Sequence, residues 1–583
     1  MVRDFDDKRV KEIFSEINDA QVYFIQRWLE QLNRNTIDTY KYKYSNSHIL
    51  LIELKYLISD VENDNIYRRN LTCCVDELLN SLDSDLIIRE HYSNIRSLIS
   101  QISINSKEDR PITALEDTVN NVLKTIFDDN YYNWIISDIE KAFAENSIKT
   151  LEKLLVAFIT ELINLGWDRK SLESLCFFIF IEQKDSNIFN ERWNLFLDKL
   201  NQEASDYMYY FQLKEFEDEI FQINSSNGIN ISYLTGEDII KNHKCSPKRI
   251  GIVNKKQKYI GLRIKEKQAN FFNAIKKVEQ ALCEIEAQFY YLNVKCKILR
   301  QCNIIIDENN LASKYDKFIR PSDWFSINRQ FKDIDKTNYS EFLNRKDSEN
   351  NQKIINVINQ YGLFCVCTRS ETRLISIWTA LESLMVTNHF DGIYDHIRLY
   401  LPPILCMGYI YKIVKNLYMD FLRCRVTLHG ISFVDTPTKD DLIAFAQYVV
   451  NDATRALAFS ACQDNQILKK RLGEVCTLLS DRKRLELALI KHNKKIEWHI
   501  QRIYNIRNAL THNAYTPLPL EQLIDNLDYY LMSVLDDAIK ALTTGKFTSV
   551  GEYYLFTQRK YEQIKHGLSK GSIHFRDLIN DYF

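Results

Sequence analysis

The sequence predicts a mainly α-helical protein: a helical N-terminal region, a small mixed α/β module in the middle, and a helical bundle at the C-terminus. Three observations predict it. Only 14 Gly and 8 Pro punctuate 583 residues, too few for a turn-rich β protein. Apolar residues recur at spacings of three and four over most of the chain. Short β-branched runs interrupt that pattern only between about 206 and 330. A composition of 45% hydrophobic and 26% charged residues is that of an ordinary globular protein rather than a disordered one.

The N-terminal domain, 1–205, reads as successive helices. VKEIFSEINDAQVYFIQRWLEQL (10–32), IRSLISQI (95–102), ALEDTVNNVLKTIF (114–127) and IKTLEKLLVAFITELINLGW (148–167) carry the helical period. Polar breaks such as SNSH, NSKEDRP and GWDRKS separate them. No fixed-period repeat marks a solenoid. In the next region NISYL (230–234), RIGIV (249–253) and CNIII (302–306) are strand candidates, bounded by Gly228, Gly251 and a polar turn. IKEKQANFFNAIKKVEQALCEIEAQFYYL (264–292) is a long amphipathic helix. The polar stretch RKDSENNQK (345–353) is the best linker, so this domain is drawn as 206–353 and the last, helical one as 354–583.

Composition also narrows the function. A formal charge of −2 means that any nucleic-acid site is a local patch. The longest apolar runs, Leu175–Ile181 and Leu401–Tyr411, are shorter than the ~18 residues a bilayer span needs. The N-terminus is charged from its third residue, without an apolar signal core. A cytoplasmic protein with no membrane partner is expected. Thirteen Cys, an odd number, point to reduced thiols. The nearest groupings, Cys73-Cys74, His243-x-Cys245 and Cys365-x-Cys367, include no C-x-x-C pair, so no metal and no cofactor are expected. There is no G-x-G-x-x-G loop, and TTGKFTS (543–549) lacks the upstream Gly of a P-loop.

One segment carries chemistry. In KIEWHIQRIYNIRNALTHNAY (495–515), Ile496, Ile500, Ile503 and Leu510 fall within ~60° of Arg507 on an ideal helix. A guanidinium therefore sits in a core-facing stripe and needs a partner. Glu382 supplies one. It lies ~40° from Trp378 on the apolar face of RLISIWTALESLM (373–385), another predicted helix. His512 follows Arg507 by five residues, ~140° round a continuous helix. The two converge only if the helix ends near Thr511–Asn513, and NAYTPLP favours an ending there.

Arg507, Asn508 and His512 suit RNA cleavage without a metal. A His moves protons near neutral pH. An Arg stabilises charge growing on phosphoryl oxygens. An Asn holds the phosphate or orients the other two. From Lys469 to Arg507 eleven Lys or Arg face four acids, a formal charge of +7. Lys491, Lys494, Lys495 and Arg502 in this stretch are candidate RNA contacts. A solvated helix face is the plain alternative, and His492 and His499 are assigned to it. His389 and His396 lie close enough to the first helix to approach the site. Three Arg–His pairs have this spacing: Arg423…His429, Arg507…His512 and Arg559…His566. Only the middle one has the adjacent Asn, the apolar register and an upstream acidic helix.

At these residues the sequence resembles the HEPN superfamily of helical ribonucleases, in its RN-xxx-H form, Tyr504-x-x-Arg507-Asn508-x-x-x-His512. ALESLM (380–385) is similar to the family's first core helix. The ApeA-like HEPN domain of bacterial defence proteins is the subgroup it is most similar to, over roughly 365–545. The resemblance implies a four- or five-helix bundle whose Arg/His set faces a second copy across a cleft, as a homodimer or higher homo-oligomer. It implies a metal-independent endoribonuclease that leaves 2′,3′-cyclic phosphate and 5′-OH ends. Arg507, Asn508 and His512 would be its catalytic residues and Glu382 the supporting acid. Antiviral abortive infection would be the setting, with the N-terminal region holding a toxin in check until a phage-derived trigger or regulatory partner acts. Some relatives are non-catalytic, so a nucleotide- or RNA-binding oligomerisation scaffold is the alternative. The 424–483 connection is longer than a minimal bundle needs.

Overall fold

The computed structural model describes residues 7–580 apart from 33–44, 65, 93–94, 128, 184, 215–228, 244–252, 254, 293, 308–311, 316–341, 343–347, 368, 388–391, 463–464 and 514–519. The mainly α architecture and the strand module in its middle are present. The chain forms two compact units, divided otherwise than the three domains drawn from sequence. One comprises Met1–Asn164, Lys332–Phe364 and Ser370–Phe583; the other comprises Leu165–Phe331 and Cys365–Arg369. The first and last helical regions thus share one unit. Their helices pack side by side, which sequence periodicity cannot reveal.

In the first unit the N-terminal layer consists of α1 (Asp7–Ile13), α2 (Asp19–Leu32), α3 (Ser47–Glu62), α4 (Thr72–Ser84), α5 (Leu86–His91), α6 (Arg96–Asn105), α7 (Ile112–Ile126), α8 (Asp129–Ala144) and α9 (Ile148–Asn164). The single helix expected over 10–32 is two. Asn18 breaks it by accepting from the Gln21 amide at 3.0 Å while Gln21 Oε1 accepts from the Asn18 amide at 3.0 Å. This reciprocal cap starts α2 afresh.

In the second unit α10 (Arg169–Phe177) and α11 (Phe189–Asn201) lead into an antiparallel sheet of order β2-β3-β1-β4-β5. Its strands are β1 (Ser205–Lys214), β2 (Asn230–Thr235), β3 (Lys258–Glu266), β4 (Lys297–Ile306) and β5 (Ala312–Ser313). β2 and β4 contain the expected NISYL and CNIII, whereas 249–252 of RIGIV lie outside the described residues, as do Gly228 and Cys245. Three strands, β1, β3 and the two-residue β5, were not foreseen. β1 falls in a Tyr-rich run for which no strand was predicted, and β3 absorbs Ile264–Glu266, the start of the expected long helix. That helix, α13 (Phe271–Tyr291), follows the short α12 (Gly236–His243) and β3 in the chain. It packs Ile275, Val278, Leu282 and Ile285 on Phe211, Ile260 and Leu262 of the sheet.

Helix α14 (Ser348–Val366) belongs to the first unit as far as Phe364. The helix begins inside the expected linker, whose residues 345–347 lie outside the described set. There follow α15 (Ser370–Met385), α16 (Ile393–Met407), α17 (Tyr409–Arg423), α18 (Lys439–Val450), α19 (Asp452–Ala461), α20 (Gln466–Leu479), α21 (Arg482–Asn513), α22 (Leu520–Thr543), α23 (Val550–Lys570) and α24 (Phe575–Asn580). Helices α15, α16, α21, α22 and α23 pack mutually as a bundle around Trp378, Leu401, Ile503, Leu527 and Tyr554. The insertion α17–α20 contains the long connection noticed in the sequence, 424–483, and begins one helix before it. It carries the N-terminal layer, with α2 against α20, while α4 packs directly on α21. Tyr394–Arg423 is long and apolar enough to cross a membrane by composition, and 61% of its most apolar window is buried inside the protein.

Candidate functional site

The site rests on α21 and α15. Ile496, Ile500, Ile503 and Leu510 are all buried, as their register predicts. Arg507, in the same stripe, keeps 29% of its side chain exposed. Its Nη2 lies 3.7 Å from Glu382 Oε2 and its Nη1 donates to Asn508 Oδ1 at 3.1 Å. The buried Nε has no hydrogen-bond partner among the described residues. Glu382 is fixed from its other oxygen, which accepts from the indole Nε1 of buried Trp378 at 2.6 Å. The expected Arg507–Glu382 pair is therefore present, although at 3.7 Å it is an ion pair without a tight hydrogen bond.

Rings flank the pair. Tyr504, one turn before Arg507, stacks on Tyr394 at 4.3 Å and lies 6.2 Å from Trp378. The Tyr394 hydroxyl donates to Gln501 Oε1, and Gln501 Nε2 donates to Asn505 Oδ1 at 2.9 Å. Burial pushes the Tyr394 phenol upward, so it stays protonated. Gln501 and Asn505 gave no sign of this role in the sequence.

The helix remains regular through Asn513. It does not end before position 512, which therefore stands ~140° round the axis from position 507. The structure does not bring the two onto one face of this helix. The side chain of His512 lies outside the described residues, as do residues 514–519 and His389.

The candidate RNA contacts separate. Arg502 is no surface cation. It is 2% exposed, its Nε donating to Glu53 Oε2 at 2.7 Å and its Nη2 to Glu77 Oε2 at 2.5 Å. Lys494 pairs with Asp76 at 3.1 Å and lies over the Trp498 ring. Lys491 and Lys495 line a cavity. The solvated-face assignment of His492 and His499 is likewise corrected, because both are buried. His499 Nδ1 lies 2.7 Å from the Tyr530 hydroxyl, and burial, with Arg502 nearby, holds the ring well below its usual pKa and neutral. His396 is buried too, its Nδ1 3.0 Å from Thr387 Oγ1. Arg502, His492, His499 and His396 are thus buried, whereas Lys491, Lys494 and Lys495 are exposed. A charge count along α21 could not show which.

Among the described residues, Glu90, His91 and Asp138 on α5 and α8 bring possible metal-ligand atoms within 4.8 Å of one another. His91 is already bonded to Asp138 at 3.0 Å and stacked on Trp134, as a surface pair would be. These residues lie on other helices than Arg507 and Glu382. No family model, curated protein or solved structure matches this chain.

Proposed function

We propose that this chain is a metal-independent endoribonuclease of HEPN type. The observation that carries the reading is the half-exposed Arg507 guanidinium, oriented by Glu382 and Asn508 on a bundle helix. In the proposed reaction the 2′-oxygen attacks the adjacent phosphorus, and the P–O5′ bond breaks. The products end in a 2′,3′-cyclic phosphate and a 5′-OH. A base removes the 2′-OH proton and an acid gives one to O5′; His512 can hold either proton. Arg507 meets the charge that grows on the phosphoryl oxygens, and Asn508 braces Arg507 from the next position. A second copy would complete the cleft, which answers the ~140° separation of positions 507 and 512 within one helix. Antiviral abortive infection, with the N-terminal layer as the restraint and a phage-derived trigger or regulatory partner as its release, belongs to the same reading.

The alternative is a non-catalytic scaffold that binds nucleotide or RNA. The observation in its favour is that Glu382 and Asn508 already engage Arg507, as they would a structural arginine. RNA incubated with purified protein in EDTA tests the two. Cleavage that is lost in Arg507→Ala and in His512→Ala supports the nuclease. Cleavage equal in variants and wild type refutes it. Affinity for RNA without turnover supports the scaffold.

A further inference from the structure

The basic run of α20 and α21 meets the N-terminal layer through ion pairs. Lys470 Nζ lies 2.8 Å from Glu152 of α9, and Arg471 pairs with Glu30 of α2. Lys494 lies 3.1 Å from Asp76 of α4. Arg502 closes on Glu53 of α3 at 2.7 Å and on Glu77 of α4 at 2.5 Å. Four cations of the run thus each take a carboxylate from the layer, and α2, α3, α4 and α9 all contribute one or more. The first two pairs border a charged cavity of about 310 Å³ that Lys491 and Lys495 also line. From Lys469 to Arg507 the formal charge is +7; these five carboxylates bring it to +2.

The acids are braced inside the layer before they reach α20 and α21. Arg27 of α2 bonds Glu30 and Glu152, each at 2.9 Å, so α2 and α9 present them as one piece. The pairs differ in burial. Lys494 and Asp76 keep 46% and 45% of their side chains exposed, and salt screens such a pair. Arg502 and Glu53 keep only 2% and 3%, so water reaches them only if the helices part. Removing the charge of the two acids there leaves a buried guanidinium uncompensated. Arg502 is also ~7.5 Å along the helix axis from Arg507, at 1.5 Å per residue. The seam between layer and basic run therefore ends beside the candidate site.

We propose that the N-terminal layer is a releasable acidic clasp, whose carboxylates occupy the basic run of α20 and α21 and which leaves that run as one body. Closed, the clasp cancels most of the positive charge beside Arg507, and a polyanion gains little by approaching. Released, it returns that charge and uncovers the track leading to Arg507. Breaking one pair weakens the rest, because the acids are held together within the layer. The clasp itself stands on the pairs above. Its effect on cleavage rests on the nuclease reading.

The test joins touching amines and carboxylates of the full chain with a zero-length carbodiimide and reads the linked peptides by mass spectrometry. Glu53→Gln/Glu77→Gln removes two charges and keeps their acceptor oxygens. The links Lys470–Glu152 and Lys494–Asp76, neither of them altered, should then fall about fivefold or more. The link Lys11–Asp19, a 3.0 Å pair inside the layer, should keep its wild-type yield, which shows release of a folded layer. RNA cleavage by the same variant should rise about tenfold or more. Asp76→Lys, at the exposed pair, disturbs no core and should raise cleavage about threefold. Glu62→Lys, at an exposed position at the end of α3, should match wild type. Remote links at wild-type yield in the double variant overturn the clasp. So does loss of all three links together, which is unfolding rather than release. Cleavage that does not rise once the remote links are lost overturns the restraint. Absence of cleavage in every form refutes the nuclease reading instead, and the links still decide the clasp.

Discussion

Arg502 Nε donates to Glu53 Oε2 at 2.7 Å although 449 positions separate the two residues. With Glu77 they form a buried triad that ties α3 and α4 to the helix carrying Arg507. Burial pushes Glu53 upward while Arg502 pulls it back. Arg502→Ala would strand two carboxylates and is expected to cost about 3–5 kcal/mol in urea unfolding. Replacing all three members with apolar residues of similar volume should cost far less. A loss below about 1 kcal/mol for Arg502→Ala would show that the triad is not closed in solution.

Arg507 should behave otherwise. Its pair with Glu382 is long and partly solvated, so Arg507→Ala should cost about 1 kcal/mol or less. RNA cleavage by the same variant should fall ~100-fold or more. Unfolding and cleavage measured on one preparation separate this from a merely structural arginine, whose loss would move stability and leave turnover per folded molecule unchanged.

Glu382 has a second duty, as acceptor for the buried Trp378 indole. Glu382→Ala leaves that donor without its acceptor, at about 1–3 kcal/mol, and should shift Trp378 emission. Glu382→Gln keeps an acceptor and should be milder. Equal losses in the two variants would contradict this role for Glu382.

His499 predicts a pH dependence. Its folded pKa is depressed, so the folded state holds the proton less tightly than the unfolded state, which titrates near the ordinary value of 6.5. The contribution to stability is present above pH 6.5 and is lost as the pH falls below it. The slope should approach about 1.4 kcal/mol per pH unit. His499→Phe should remove that part of the slope between pH 6.5 and 5. A slope unchanged in the variant would contradict the assignment.

Gly261 on β3 faces Tyr210 and Ser232 on the neighbouring strands. A Cβ there would lie 2.8 Å from the Tyr210 ring and 2.6 Å from Ser232 Oγ. Gly261→Ala is expected to destabilise the second unit by about 1–3 kcal/mol. The Ser232→Ala background should relieve part of it. Limited proteolysis within 165–331 reads this unit by itself.

Local sequence held most of the helices and the Arg507 stripe, because periodicity reports one buried face of one element. It also held the Glu382 pairing, since two charges on two apolar faces need each other. The two-unit division, the Arg502 triad and the charged cavity were not legible. Each depends on which distant helices meet. A basic run along α21 reads the same whether its members face solvent, a carboxylate or a cavity. β1 escaped for a related reason: MYYF has no polar alternation when both faces of a strand are covered.

The most direct measurement is the end chemistry of RNA cut by the full-length protein in EDTA, with Arg507→Ala alongside. Downstream fragments that a polynucleotide kinase labels without prior phosphatase treatment are expected. Upstream ends should be closed as 2′,3′-cyclic phosphates, and the variant should yield neither. Fragments with 5′-phosphate and 3′-hydroxyl ends, or the same products from Arg507→Ala at the wild-type rate, would contradict it.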